Sequence, residues 1–220
     1  MIFIKERWII FFIGIALQSI GISLVVKSLL GTSPISSVPY VLSLSFPMTF
    51  GQTTFIINMI FLIAQIFLLK KNFNKIQLLQ IPVIFVFATL IDLSMYVFDL
   101  KPEMYIYKFI LLLIGAAFVS LGIALQVIAD VLMLSGEAIV TAISQVFKFE
   151  FGNVKTIFDC TLVLSAAIWS YFDLGTIEGI REGTLISALI TGSVARFFIK
   201  HQVVLMKMAI EKFIYIFKLS

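Results

Sequence analysis

The 220-residue chain has one cysteine, Cys160, and one histidine, His201. Cys160 lies inside an apolar run, which excludes an intrachain disulfide and a cysteine-based metal site. A single imidazole at the end of the last apolar run leaves few general-base candidates. Neither HExxH nor GxSxG occurs, so zinc hydrolysis and serine acyl transfer have no support. Asp92 and Asp159 are the pair an intramembrane aspartyl site would use, but no Gly-rich motif surrounds them. No nucleotide-binding motif is present, and no enzyme activity, cofactor or metal is expected. Charge is scarce as well: Asp, Glu, Lys and Arg make up 13% of residues, against about 25% in soluble domains.

Apolar sequence fills the space. Hydrophobic residues are 61% of the chain, and uncharged runs at 8–26, 51–69 and 109–129 approach or exceed the ~20 residues that cross a bilayer. Residues 76–98 form another such run with Asp92 as its only charge. The basic start, MIFIKERW, precedes an apolar run too long for a signal peptide, so a retained first span is expected. The net charge of +4 sits at the flanks of the apolar runs, where it orients a membrane protein rather than binding nucleic acid.

Residues 13–26 (IGIALQSIGISLVV) return as 114–127 (IGAAFVSLGIALQV), identical at eight of fourteen positions without a gap. The same offset of 101 pairs Phe46 with Phe147, Phe50 with Phe151, Gly51 with Gly152 and Ile56 with Ile157. This is a duplication, a recurring design of transporters, and its period is too long for a solenoid. The expected architecture is an all-α membrane protein, a polytopic bundle of about six transmembrane helices. Its spans fall at 8–30, 51–69, 76–98, 105–131, 153–172 and 183–199. Residues 1–220 form a single membrane domain, with repeats at about 8–99 and 105–199 and an amphipathic surface helix at 201–220.

Two short elements, 32–46 and 135–147, occupy matched places in the repeats. As helices of about fourteen residues they rise only ~20 Å, short of a ~30 Å core, and they fit re-entrant, interfacial or short spanning helices. Lys5 and Arg7, the Lys70–Lys75 turn and the basic C-terminal stretch all ask for the cytoplasmic side. They share it only if the short elements do not cross. Three spans per half then make the repeats inverted, with both termini cytoplasmic. Two parallel repeats of four spans remain the alternative.

Both short elements open with helix-start chemistry: Gly31-Thr32-Ser33-Pro34 in one, Ser135-Gly136-Glu137 in the other. At depth, such starts need an anion, water or polar side chains to meet their free N–H groups. At a surface they are ordinary capped helices. Charged residues inside spans usually face a bundle interior or an aqueous path. Asp130 precedes the second short element, and the repeat pairs Asn58 in the second span with Asp159 in the fifth. The expected substrate-binding set is therefore Thr32, Ser33, Asn58, Asp130, Ser135, Glu137 and Asp159. Asp92 also fits a structural ion pair with Lys27 or Arg196.

The strings GTSPISSVPYVLS (31–43), FGNVKTIFD (151–159) and REGTLISALITG (181–192) resemble the bacterial YczE/YitT-type integral membrane proteins, and the YczE-like branch in particular. The second copy departs from the Gly-Thr-Ser-Pro pattern, reading Leu132-Met133-Leu134-Ser135-Gly136-Glu137 without the proline. The resemblance implies a multi-pass protein of the bacterial cytoplasmic membrane and implies no substrate. Together these features lead to a transporter or permease for a small solute or ion, embedded in the lipid bilayer, alone, as a homo-oligomer or with a partner membrane subunit. The other reading is a non-transporting membrane protein that docks or stabilises partner proteins.

Overall fold

The computed structural model describes residues 4–191 and Val194. Uncharged apolar runs can satisfy their backbone polar groups only internally, and here they do so as helices. In chain order these are α1 (Ile4–Lys27), α2 (Pro34–Ser45), α3 (Phe50–Leu69), α4 (Gln80–Val97), α5 (Tyr105–Ala129), α6 (Ser135–Phe147) and α7 (Phe151–Leu174). An apolar helix α8 (Glu182–Thr191) follows. Among the described residues there is no strand. Five helices are long and apolar enough to cross a bilayer: α1, α3, α4, α5 and α7, with α3 and α4 extended by short 3-10 turns. Large apolar side chains such as Phe67, Phe85, Tyr96 and Phe172 point outward, as in a helical membrane bundle. Most of residues 192–199, including Arg196, and the 201–220 segment lie outside the described residues.

The α1–α5 pair is the most extensive contact between elements. Four glycines explain it. A Cβ on Gly14 would stand 2.8 Å from the Gly122 carbonyl oxygen, and one on Gly122 would stand 2.6 Å from that of Gly14. Gly21 and Gly115 repeat the relation at 2.7 and 2.9 Å. Backbones this close exclude any side chain, the usual way membrane helices gain packing without a hydrophobic drive. Because residue 14 meets 122 and residue 21 meets 115, the two helices run antiparallel. Between them, Gln126 donates through Nε2 to Gln18 Oε1 (2.5 Å), both side chains being buried.

Contacts at the helix ends fix the path of the chain. In the first turn of α1, Arg7 Nε donates to the Ala129 carbonyl (2.7 Å), and the guanidinium also reaches the Asp130 carbonyl and carboxylate. A cation thereby caps the C-terminus of α5. At the opposite end Lys27 pairs with Asp99 in the loop before α5 (3.4 Å). Ser23 Oγ donates to the Ile91 carbonyl (3.3 Å), which joins the C-terminal halves of α1 and α4. Asp92, near the end of α4, accepts from Gly51 N–H (2.7 Å) and the Thr49 hydroxyl (2.5 Å) at the start of α3. Its carboxylate therefore caps α3; Lys27 takes Asp99 instead.

It follows that α1 ends and α3 begins at the same end of the bundle, so α2 makes no net crossing. Trp169 Nε1 donates to Ser45 Oγ (3.1 Å), placing the close of α7 beside the close of α2 at that end. Hence α7 starts at the N-terminal end, where α5 finished, and α6 makes no net crossing either. The Lys70–Asn72 turn lies against Gln145 and Val146 of α6, at the N-terminal end. α2 packs on α3 and α7, and α6 packs on α7 and α3.

Candidate functional site

The two short helices point their first turns at each other. A Cβ on Gly136, second residue of α6, would collide with Cδ1 of Ile35, second residue of α2. From that meeting point α2 runs to the end of the bundle that holds Trp169, and α6 runs to the end that holds the Lys70–Asn72 turn.

The start of α2 is held by the segment leading into α8. Gly31 takes φ +125°, a region open to glycine, and turns the chain back after α1. Thr32 N–H donates to Thr184 Oγ1 (3.2 Å), and Thr32 Oγ1 donates to the Gly179 carbonyl (3.1 Å). Ser187 Oγ donates to the Thr32 carbonyl (3.3 Å). Ser33 Oγ donates to Ser36 Oγ (2.8 Å). Protein groups thus meet the N–H, hydroxyl and carbonyl of Thr32 and the hydroxyl of Ser33.

The start of α6 is held by a buried ring of three side chains. Ser135 Oγ donates to Gln80 Oε1 (2.6 Å), Gln80 Nε2 donates to Gln65 Oε1 (3.4 Å), and Gln65 Nε2 donates to the Ser135 carbonyl (3.3 Å). All three residues are fully buried. The ring ties α3, α4 and α6 together where an unpaired amide would cost about 1–3 kcal/mol.

Charge gathers beside this ring, on α6 and α7. Lys155 Nζ pairs with Asp159 Oδ1 at 2.7 Å, one turn apart on α7. Glu137, in the first turn of α6, lies within electrostatic reach of both. Asn58, the repeat partner of Asp159, donates to the Thr54 carbonyl of its own helix (2.8 Å). Asp130 is exposed at the N-terminal end and held by Arg7.

Of the seven residues expected from sequence, Ser135, Glu137 and Asp159 lie in one neighbourhood, around the first turn of α6. Thr32 and Ser33 belong to the facing start of α2. Among the described residues no hydrogen bond or ion pair joins Asn58 to Asp159, or Asp130 to the short-helix starts. Sequence reasoning missed Gln65 and Gln80, because neutral amides do not stand out in an apolar run. It also passed over Lys155, although that residue lies four before Asp159 and therefore on the same helix face. A recess of about 220 Å³ opens at the end opposite the N-terminus, lined in part by Gly31, Tyr40, Lys108, Glu178 and Arg181. It reaches the turn that begins α2. Among the described residues no three His, Cys, Asp or Glu side chains gather in a way that could hold a metal.

Residues 5–200 match the model of the family described as DUF6198, a family of unknown function. The chain belongs to that family. It is also similar to the uncharacterized protein YyaS of Bacillus subtilis (strain 168), 31% identical over 123 residues. That alignment covers 54% of this chain and 59% of YyaS, so the DUF6198 protein matches a little over half the length of this relative. No solved structure matches.

Proposed function

We propose that this DUF6198 protein is a small-solute transporter whose site lies where the first turns of α2 and α6 meet, between two inverted repeats. The carrying observation is the Ile35–Gly136 contact. Interrupted helices at corresponding places of two halves, with their positive N-terminal ends directed inward, are the arrangement from which secondary transporters build binding sites. The reciprocal contacts of Gly14 with Gly122 and Gly21 with Gly115 support the inverted repeat, since positions 14 and 115, and 21 and 122, are each 101 apart. The packing of α2 on α7, mirrored by α6 on α3, supports it too.

In this reading the bilayer is crossed by α1, α3, α4, α5, α7 and the sixth span expected from sequence at 183–199, of which α8 is the described part. Lys5, Arg7, Lys70, Lys71, Lys75 and Lys148 cluster at the N-terminal end, which supports a cytoplasmic N-terminus under the positive-inside rule. The acidic Asp99, Glu103, Asp173, Glu178 and Glu182 lie toward the other face. The 220 Å³ recess then becomes an outer vestibule leading to Gly31 and Thr32. The YczE-like resemblance fits a bacterial cytoplasmic membrane. Thr32, Ser33, Ser135, Glu137 and Asp159 line or border the site, while Asp130 is held by Arg7 at the N-terminal end and Asn58 bonds within its own helix. Movement is passive, ion-coupled or driven by a partner subunit.

A thermal-shift screen of small solutes on the purified protein identifies the ligand, and flux of that solute into proteoliposomes tests the assignment. Glu137→Gln and Asp159→Asn are expected to lower flux at least tenfold. Retained flux in both variants removes these residues from the site.

A further inference from the structure

The repeat relates the charged trio of the second half to three neutral residues of the first. At the offset of 101, Glu137 corresponds to Ser36, Lys155 to Thr54 and Asp159 to Asn58. The contacts differ in kind: Asn58 Nδ2 donates to the Thr54 backbone carbonyl (2.8 Å), whereas Lys155 Nζ donates to the Asp159 carboxylate (2.7 Å). One half therefore carries two acids and one base where the other carries two hydroxyls and an amide. Charge inside an apolar bundle is costly to keep, and a purely structural role is already met by the neutral set. The trio bears one uncompensated negative charge when all three groups are ionised.

We infer that Glu137, Lys155 and Asp159 form a proton-carrying site in which Glu137 takes up and releases one proton. Asp159 is engaged by the Lys155 ammonium at 2.7 Å, which leaves Glu137 as the carboxylate of the trio with no cation in contact among the described residues. Among the described residues the Glu137 carboxylate makes no hydrogen bond to another side chain, while both charges on α7 act on it. Among the described residues Lys155 and Asp159 are the charged groups that act on it, and α3, which also packs on α6, contains no titratable residue. The step is a simple one. A proton from water adds to a Glu137 carboxylate oxygen, the trio becomes neutral, and the same O–H bond breaks when the proton leaves. Lys155 retains its own proton throughout. An alkali cation is disfavoured because the Lys155 ammonium already occupies the cationic position. The coupling role rests on the transporter reading; proton uptake does not.

The test is infrared difference spectroscopy of the full chain in lipid bilayers across a pH series. The wild type is expected to show a carboxylic-acid C=O band whose area titrates as one carboxyl per chain. Glu137→Gln removes it, Asp173→Asn leaves it, and Lys155→Met enlarges it because two carboxylates then share the site. A variant carrying Glu137→Ser, Lys155→Thr and Asp159→Asn copies the neutral half and shows no titrating band. A band that survives Glu137→Gln, or one unmoved by Lys155→Met, overturns the assignment. A titrating band in a protein that moves no solute keeps the proton site and sinks the transporter reading, so the two failures are separable.

Discussion

Ile35 of α2 lies on Gly136 of α6, and these two positions are 101 residues apart, the spacing of the sequence repeat. Each is the second residue of its helix. A residue that touches its own repeat counterpart lies close to the axis relating the halves, so in our reading the two helix starts meet at the centre of the site.

Gly136→Leu is expected to push α2 and α6 apart, because its whole side chain would have to displace the Ile35 side chain that already lies over residue 136. Overpacking of this kind costs roughly 1–3 kcal/mol. The melting temperature in lipid nanodiscs should fall, and Ile35→Ala in the same chain should restore most of the loss. Independent effects of the two substitutions would contradict the contact.

The α1–α5 crossing offers a stronger response. Gly21→Leu and Gly115→Leu each insert a side chain where a Cβ alone would sit 2.7 to 2.9 Å from a carbonyl oxygen. Both variants are expected to lose folded protein on size-exclusion chromatography, while Gly175→Leu, where an added Cβ has open space, is expected to elute as the wild type at a cost of about 1–2 kcal/mol for its positive φ.

The Gln65–Gln80–Ser135 ring should behave asymmetrically. Gln80→Leu leaves the Ser135 hydroxyl and Gln65 Oε1 without partners, at an expected cost of about 1–3 kcal/mol. Replacing all three, as Gln65→Leu, Gln80→Leu and Ser135→Ala, should cost less than the sum of the single changes. Thermal unfolding of the four variants checks this, and strict additivity would contradict a closed ring.

Asp99 carries the acid dependence of the loop between α4 and α5. Lys101, and after it Lys27, hold its carboxyl below the usual value. A carboxylate whose pKa is lower in the folded state contributes stability above its unfolded pKa and loses it as pH falls through the folded one. The gap in melting temperature between wild type and Asp99→Asn should therefore be small at neutral pH and close in acid. A gap that widens in acid would contradict the pairing.

Much of this was legible beforehand, for a physical reason. Uncharged runs of bilayer length announce helices, and Gly14, Gly21, Gly115 and Gly122 recur because close backbone approach tolerates no side chain. The position of the α2 start was readable from Ser33-Pro34, but the expected hydroxyl caps do not form: Ser33 Oγ donates to Ser36 Oγ, and at α6 the cap position falls on Leu134 with Ser135 as the first helical residue. The partners of those starts were not readable. Thr184 and Gly179 lie about 150 residues from Thr32, and Gln80 lies 55 from Ser135, so only the packed bundle brings them together. From sequence Asp92 fits a structural ion pair with Lys27 or Arg196; Lys27 pairs with Asp99 instead, and Arg196 lies outside the described residues. The Asp92 carboxylate caps α3, a role that depends on where Gly51 comes to rest.

The central claim is that α2 and α6 enter from opposite faces without crossing. In a Cys160→Ser background, single cysteines at Lys5, Met48, Lys71, Lys101 and Lys148 can be labelled with a membrane-impermeant maleimide from either side. The account predicts that positions 5, 71 and 148 react only from the cytoplasmic face, and positions 48 and 101 only from the other. Labelling of position 71 from the face opposite position 5 would contradict it.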